Sequence, residues 1–234
     1  MFVSILGDSI STFPGYQPEG YAVYYDREKQ IRNGINSAHD LWWARVIQGL
    51  GAELCVNNAY SGSRVTGTSP ASGNSTERTH GLHTSEYRPD LILVYLGTND
   101  WGYGVPLRNE KPGLLRTRDV GYFDSAYRCM LNRIIKYYPK ARIACGTISR
   151  SYLRTDSSWV FPEAVGGTRY EKYNDIIRSV AQERKCILID ADARNIPYET
   201  LDGFHPTARG HATIADNWLS CFSEIPGFLS PDLK

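Results

Sequence analysis

Most of the extremes that would point this chain towards a partner are missing. Charge of one sign is not in excess: 26 Lys and Arg stand against 25 Asp and Glu in 234 residues, a net charge of +1. No long run of like charges occurs either. General electrostatic attraction to nucleic acid or to an anionic membrane surface is therefore not expected. No apolar segment approaches the ~20 residues of a membrane span. The first apolar run stops at Leu6 with no basic residue ahead of it, so no secretory leader is read and a cytoplasmic location is expected. Cysteines are few and scattered: Cys55, Cys129, Cys145, Cys186 and Cys221. An odd number, far apart and mostly within apolar stretches, predicts free buried thiols in a reducing compartment. No CxxC or HExxH is present, which argues against zinc. Asp202, His205 and His211 do not make a persuasive metal set, because His211 falls about a turn and a half inside a helix, facing away from His205.

What is present fits an ordinary globular α/β protein, 41% hydrophobic and 22% charged. Its length suits one domain spanning 1–234. Strands are predicted over 2–6, 53–57, 91–96, 142–146 and 186–190. Leu91-Ile92-Leu93-Val94-Tyr95 and Ile187-Leu188-Ile189 are continuously apolar, as in strands covered on both faces of a parallel sheet. Helical spacing marks 40–50, 123–138, 168–184 and 207–222, with Gly51 and Pro139 as stops and Pro206-Thr207 as a start. Strands alternating with helices predict a parallel sheet wrapped on both sides.

Four connections follow strand carboxyl ends and are long: 10–39, 60–89, 101–122 (with Pro112 and Gly113) and 149–167. Ligands bind at that edge of an open α/β sheet, and long loops in compact domains are often functional. The first strand ends in Gly7-Asp8-Ser9, which delivers a hydroxyl to that edge. The third ends in Leu96-Gly97-Thr98-Asn99-Asp100, where Asn99 offers a neutral amide donor of the kind a developing oxyanion needs. After the second comes Ser61-Gly62-Ser63, whose Gly62 could aim a backbone N–H into the same space. Near the other end, Asp202-Gly203-Phe204-His205-Pro206 places an acid and an imidazole three residues apart. A hydroxyl, an imidazole and a carboxylate are the parts of a serine nucleophile system.

These four blocks, in this order, resemble the SGNH hydrolases, the GDSL esterase/lipase superfamily; Ile10 stands where its best-known members carry Leu. The resemblance implies a three-layer, flavodoxin-like sandwich with a five-stranded parallel sheet. It implies Ser9 as nucleophile, His205 as general base and acid, and Asp202 as its orienting carboxylate. The oxyanion hole would be the N–H groups of Ser9 and Gly62 with the side chain of Asn99. No metal or organic cofactor is implied. The reaction would be hydrolysis of esters.

The loops hold Tyr16, Tyr21, Tyr24, Tyr25, Trp42, Trp43, Trp101, Tyr103, Tyr152 and Trp159, aromatic faces suited to sugar rings, while Arg64, Arg108 and Arg150 could meet an acidic group. No long Leu, Phe or Met runs of the lipase kind occur in them. The expected substrate is a small polar ester, an acetylated carbohydrate first. The alternatives are a lysophospholipase or acyl-thioesterase and, in a different class, a non-catalytic carbohydrate-binding module on the same scaffold.

Overall fold

The five apolar runs meet in one sheet. The computed structural model describes residues 1–108 and 119–228; Pro112 and Gly113 of the third long connection lie outside the described residues. Strands β1 (Phe2–Gly7), β2 (Glu53–Ala59), β3 (Leu91–Tyr95) and β4 (Arg142–Gly146) come first. Short strands β5 (Ser151–Leu153), β6 (Ala164–Val165) and β7 (Thr168–Arg169) follow, then β8 (Ile187–Ile189) and β9 (Tyr198–Thr200). The helices are α1 (Arg27–Asn33), α2 (Trp42–Gly49), α3 (Thr76–His80), α4 (Thr98–Gly102), α5 (Phe123–Tyr137), α6 (Tyr170–Glu183) and α7 (Ala208–Ser223).

The main sheet has the order β2-β1-β3-β4-β8, with every pair parallel. Alternation along the strands feeds two cores. Leu6, Ile92, Val94, Ile143 and Cys145 pack with α5 and α6 on one side. Val3, Ile5, Leu91, Leu93, Tyr95 and Ala144 pack with α2 and α7 on the other. This is the expected sandwich of helix, sheet and helix. The chain leaves β1 towards β2 and returns to place β3 on the other side of β1. Between β1 and β3 the winding therefore reverses, and a crevice opens beyond their carboxyl ends.

Several expectations need correction. The connection 10–39 is not continuous loop: Asp26 accepts from Lys29 N at 3.0 Å and starts α1, and Gly34 ends it at φ +68°. The connection 60–89 contains α3, capped by Ser75. The helix expected from 168 begins at Tyr170, because Thr168 and Arg169 pair with β6 instead. Cys129 and Cys145 are buried as expected, whereas Cys55, Cys186 and Cys221 are half-buried; all five are free. Among the described residues no helix is long and apolar enough to cross a membrane.

His211 is fully buried on α7. Its Nδ1 accepts from the Trp42 N–H at 3.3 Å, and its Nε2 has no hydrogen-bond partner among the described residues. Burial, with Arg45 and His205 as further positive charges, pushes its pKa down to about 3. The unfolded chain therefore takes up a proton that the native chain refuses. Stability falls as pH drops from the ordinary histidine value towards that figure, by about 1.4 kcal/mol per pH unit. His211→Gln keeps an acceptor for Trp42 and removes the proton. Urea unfolding between about pH 6 and pH 4 is expected to show an acid slope shallower by that amount.

Candidate active site

Gly7 aligns with Ala59 of β2 and Tyr95 of β3 across the sheet. The three strand exits therefore start level. Immediately beyond Gly7 the chain folds into a single 3-10 turn, Ser9–Ser11, capped by Asp8, which accepts from Ile10 N at 3.0 Å. The turn comes back so closely that a Cβ on Gly7 would lie 2.4 Å from Ser11 Oγ. Glycine is required there by close approach. The outcome is that Ser9 stands at the crevice with its side chain turned towards the last third of the chain.

That last third is a braced loop. Asp202 Oδ1 accepts from the N–H groups of Phe204 and His205 at 2.9 and 2.8 Å, which closes a turn on itself. Ser151 donates to Gly203 O at 2.6 Å, Thr200 Oγ1 accepts from Gly203 N at 3.1 Å, and Tyr198 donates to Phe204 O at 2.9 Å. The loop therefore hangs from the small parallel sheet of β5 and β9. Thr207 then caps α7. Held this way, His205 Nε2 lies 3.0 Å from Ser9 Oγ, and His205 Nδ1 lies 2.7 Å from Asp202 Oδ2. Ser9 is thereby brought to the Asp202 and His205 pair, 193 and 196 positions further along the chain.

Burial alone would raise the Asp202 carboxyl. The hydrogen bond and charge of His205, with the N–H groups of His205 and Phe204, outweigh it and hold this carboxyl well below the usual range. An ionised carboxylate at Nδ1 favours the tautomer whose bare Nε2 faces a hydroxyl. Such a line can take a proton from Ser9 and return it.

Asn99 sits in the first turn of α4. Its Nδ2 donates to Ser63 O at 3.0 Å and to Asp8 Oδ2 at 3.3 Å, which fixes the amide between the two neighbouring strand exits. Gly62 occupies a turn closed by Ser63 N on Tyr60 O, with φ +77°. The N–H groups of Ser9 and Gly62 have no acceptor among the described residues. Of the predicted donors, Asn99 is tied to the β1 exit through Asp8, the Ser9 N–H lies at that exit, and Gly62 stands next to Ser63, whose carbonyl holds Asn99.

Residues that the sequence did not single out complete the site. Arg78 is fully buried, and among the described residues no carboxylate lies in ion-pair range of it. Its guanidinium donates to Asn58 Oδ1 and Ser63 Oγ at 2.7 and 2.8 Å, and to the carbonyls of Gly7, Asn58 and Ala71 at 2.7, 2.8 and 2.6 Å. It ties the exits of β1 and β2 to the Gly62 turn. Burial pulls its pKa down to about 10, still far above neutral, so a positive charge stands behind the crevice. Asp8 is buried too, and its pKa is pushed up to about 6 by burial against the Ile10 N–H and the charges of His205 and Arg78. Asp100, likewise raised by burial to about 6, accepts from Val65 N and Thr66 N at 2.8 and 3.1 Å and pins the second loop to α4.

The aromatic set divides differently from expectation. Tyr25, Trp42, Trp43 and Trp101 are buried core residues. Tyr24 lies flat on His205. Tyr103 remains open, 70% exposed, with the Arg64 guanidinium 5.4 Å from its ring centre. Arg108 and Arg150 are paired with Asp119 and Asp192. Among the described residues no cluster of His, Cys, Asp and Glu could hold a metal ion.

The profile of the family "GDSL-like Lipase/Acylhydrolase" matches residues 1–160. Solved structures agree along nearly the whole chain. A candidate GDSL-like lipase from Bacteroides uniformis is 28% identical with a TM-score of 0.74, covering 96% of each chain. One from Bacteroides ovatus is 24% identical with a TM-score of 0.73, covering 96% of this chain and 98% of its own. A carbohydrate acetylesterase from Sinorhizobium meliloti is 17% identical with a TM-score of 0.61, covering 94% of this chain and 96% of its own. No curated protein sequence matches. With its level strand exits, its crevice between β1 and β3 and a family profile that spans the first two thirds of its length, this chain belongs to the GDSL-like lipase/acylhydrolase family, among the SGNH hydrolases.

Proposed function

We propose that this hydrolase is a serine carboxylic-ester hydrolase that removes short acyl groups, acetyl first, from a carbohydrate or another small polar alcohol. The observation that carries the reading is the unbroken line from Asp202 through His205 to Ser9, at 2.7 and 3.0 Å. Ser9 Oγ attacks the ester carbonyl carbon while its proton passes to His205 Nε2. The tetrahedral oxygen takes hydrogen bonds from the N–H groups of Ser9 and Gly62 and from Asn99 Nδ2. Its collapse breaks the bond to the alcohol, which leaves with the proton from Nε2. Water then gives a proton to Nε2, attacks the acyl carbon and releases the acid and the Ser9 hydroxyl.

The position of one apolar cavity supports a short acyl group. The cavity of about 350 Å³ lined by Tyr16, Trp43, Ile47 and Leu54 opens beside the start of β2, at the opposite end of the strands from Ser9. It is badly placed for an acyl chain attached to that serine. The open Tyr103 ring with Arg64 beside it supports a polar alcohol on the rim, and an acetylesterase on the same scaffold is in keeping with this. p-Nitrophenyl esters from acetate to octanoate test the reading. Turnover per KM is expected to be highest on acetate and at least about tenfold lower on octanoate. Preference for octanoate moves the assignment to a lysophospholipase or acyl-thioesterase. No turnover on any ester leaves the carbohydrate-binding reading, against which all three residues of the serine system stand complete.

A further inference from the structure

Tyr24 belongs to neither end of the site in sequence, yet it touches both. Its ring is parallel to the His205 imidazole, with centres 3.4 Å apart and planes within 8°. Its hydroxyl donates to Asp202 Oδ2 at 2.9 Å, the same oxygen that holds His205 Nδ1. Its backbone N–H donates to Thr12 Oγ1 at 2.9 Å, and that hydroxyl donates to Ser9 O at 2.9 Å. The next residue continues the bridge: Tyr25 donates to Pro206 O at 2.8 Å, directly after His205. Gln30 of α1 in turn holds Tyr25 O at 2.8 Å.

We propose that Tyr24 is the positioning residue of this serine site, a clamp that fixes the plane of His205 and loads Oδ2 of Asp202 with a second donor. The inference rests on the esterase reading above. A hydrogen bond at Nδ1 sets the direction of the imidazole but leaves it free to tilt about that bond. A flat ring in van der Waals contact removes the tilt and keeps Nε2 on Ser9. The aromatic face also favours the imidazolium that forms during each transfer, and it excludes water from that side. The hydroxyl faces Asp202 from within this stack. Asp26, Lys29 and Arg32 are the other charges around Tyr24, with Lys29 Nζ 5.3 Å from the ring centre. Burial and the Asp202 charge hold the Tyr24 hydroxyl protonated, so it keeps the proton it donates to Asp202. Both faces of the ring have neighbours, which is why it is unsuited to the sugar-stacking role that its loop position suggested.

Two variants separate the ring from the hydroxyl, with p-nitrophenyl acetate as substrate. Tyr24→Leu is expected to lower kcat about 10²-fold, the scale of a misplaced catalytic group, with KM changed by less than about threefold. Tyr24→Phe keeps the stack and the volume. It is expected to lower kcat about three- to tenfold, the loss of one hydrogen bond to a charged group. It also leaves Asp202 with more of its charge, so the His205 imidazole becomes more basic. The acid limb of the pH–rate profile and an NMR titration of the imidazole both move to higher pH. The NMR titration needs no substrate. If the native chain hydrolyses no ester while the imidazole titration still moves upward in Tyr24→Phe, the esterase reading falls and the clamp stands. If the native chain works through Ser9 while kcat stays within about twofold in both variants and the titration does not move, the clamp is overturned. A rise in KM at constant kcat also overturns it, because the ring is then a substrate contact.

Discussion

Ser9→Ala is expected to lower kcat on p-nitrophenyl acetate by about 10⁴-fold or more, and His205→Ala by a similar factor. The two residues form one device. Without the hydroxyl there is no acyl-enzyme, and without the imidazole the hydroxyl keeps its proton at neutral pH. The double variant is therefore expected to lose no more than either single one, because groups acting as a unit are not additive. KM should change little, since Ser9 Oγ is hydrogen-bonded to His205 rather than shaped for the ground state. The fold should be indifferent: Ser9 has one side-chain hydrogen bond, and the adjacent turn is held by Asp8 and Thr12 instead. A fluorophosphonate gives an independent readout. It should add once to the native chain, on Ser9, slowly to His205→Ala and not at all to Ser9→Ala. Full activity in Ser9→Ala, or an adduct on another residue, removes Ser9 as nucleophile.

The main sheet was legible because its strands are apolar runs of the length that a doubly covered parallel sheet needs, and because Gly51 and Pro139 mark helix ends. The site was legible where its residues sit on strand exits: Ser9, Asn99 and the Asp202–His205 turn each follow a recognisable boundary. Tyr24 was not, because a half-buried ring in an irregular loop carries no period, and its partner lies 181 positions away. Asp26 followed by Arg27-Glu28-Lys29 and closed by Gly34 was a usable helix signal, and it would have shown that this loop is anchored. Trp42 misled for the opposite reason. It was read as a loop aromatic, although Trp42 and Val46, four residues apart, share one face of α2 and that spacing already argued for the core. Arg78 had no signal. It is a single arginine whose five acceptors, all neutral, come from the ends of two strands and a turn. Only the assembled fold brings those acceptors together around one guanidinium.

Asn99→Ala is the second large effect expected, a fall in kcat of about 10²- to 10³-fold, or ~3–4 kcal/mol of transition-state stabilisation. The side chain is already oriented before substrate arrives, because Ser63 O and Asp8 Oδ2 hold its nitrogen from two sides. Both of its protons are engaged at rest, so the one on Asp8 Oδ2, the longer bond, turns to the carbonyl oxygen as charge develops there, while Ser63 O keeps the other. The N–H groups of Ser9 and Gly62 share the role, so the loss is smaller than for Ser9 itself, and the fluorophosphonate should still label Ser9, only more slowly. Asn99→Asp is expected to be worse than the alanine, although it is nearly isosteric. It removes the donor and sets a second carboxylate against Asp8, whose burial already resists ionisation. Thermal unfolding separates this from a folding defect. Losing the bond to Ser63 O takes about 1 kcal/mol from stability, too little to empty the native state. If Asn99→Ala keeps kcat within about threefold of the native chain while Ser9→Ala is dead, the oxyanion is held by backbone N–H groups alone. Asn99 would then be a brace for the Ser63 turn, with its loss read in stability and not in turnover.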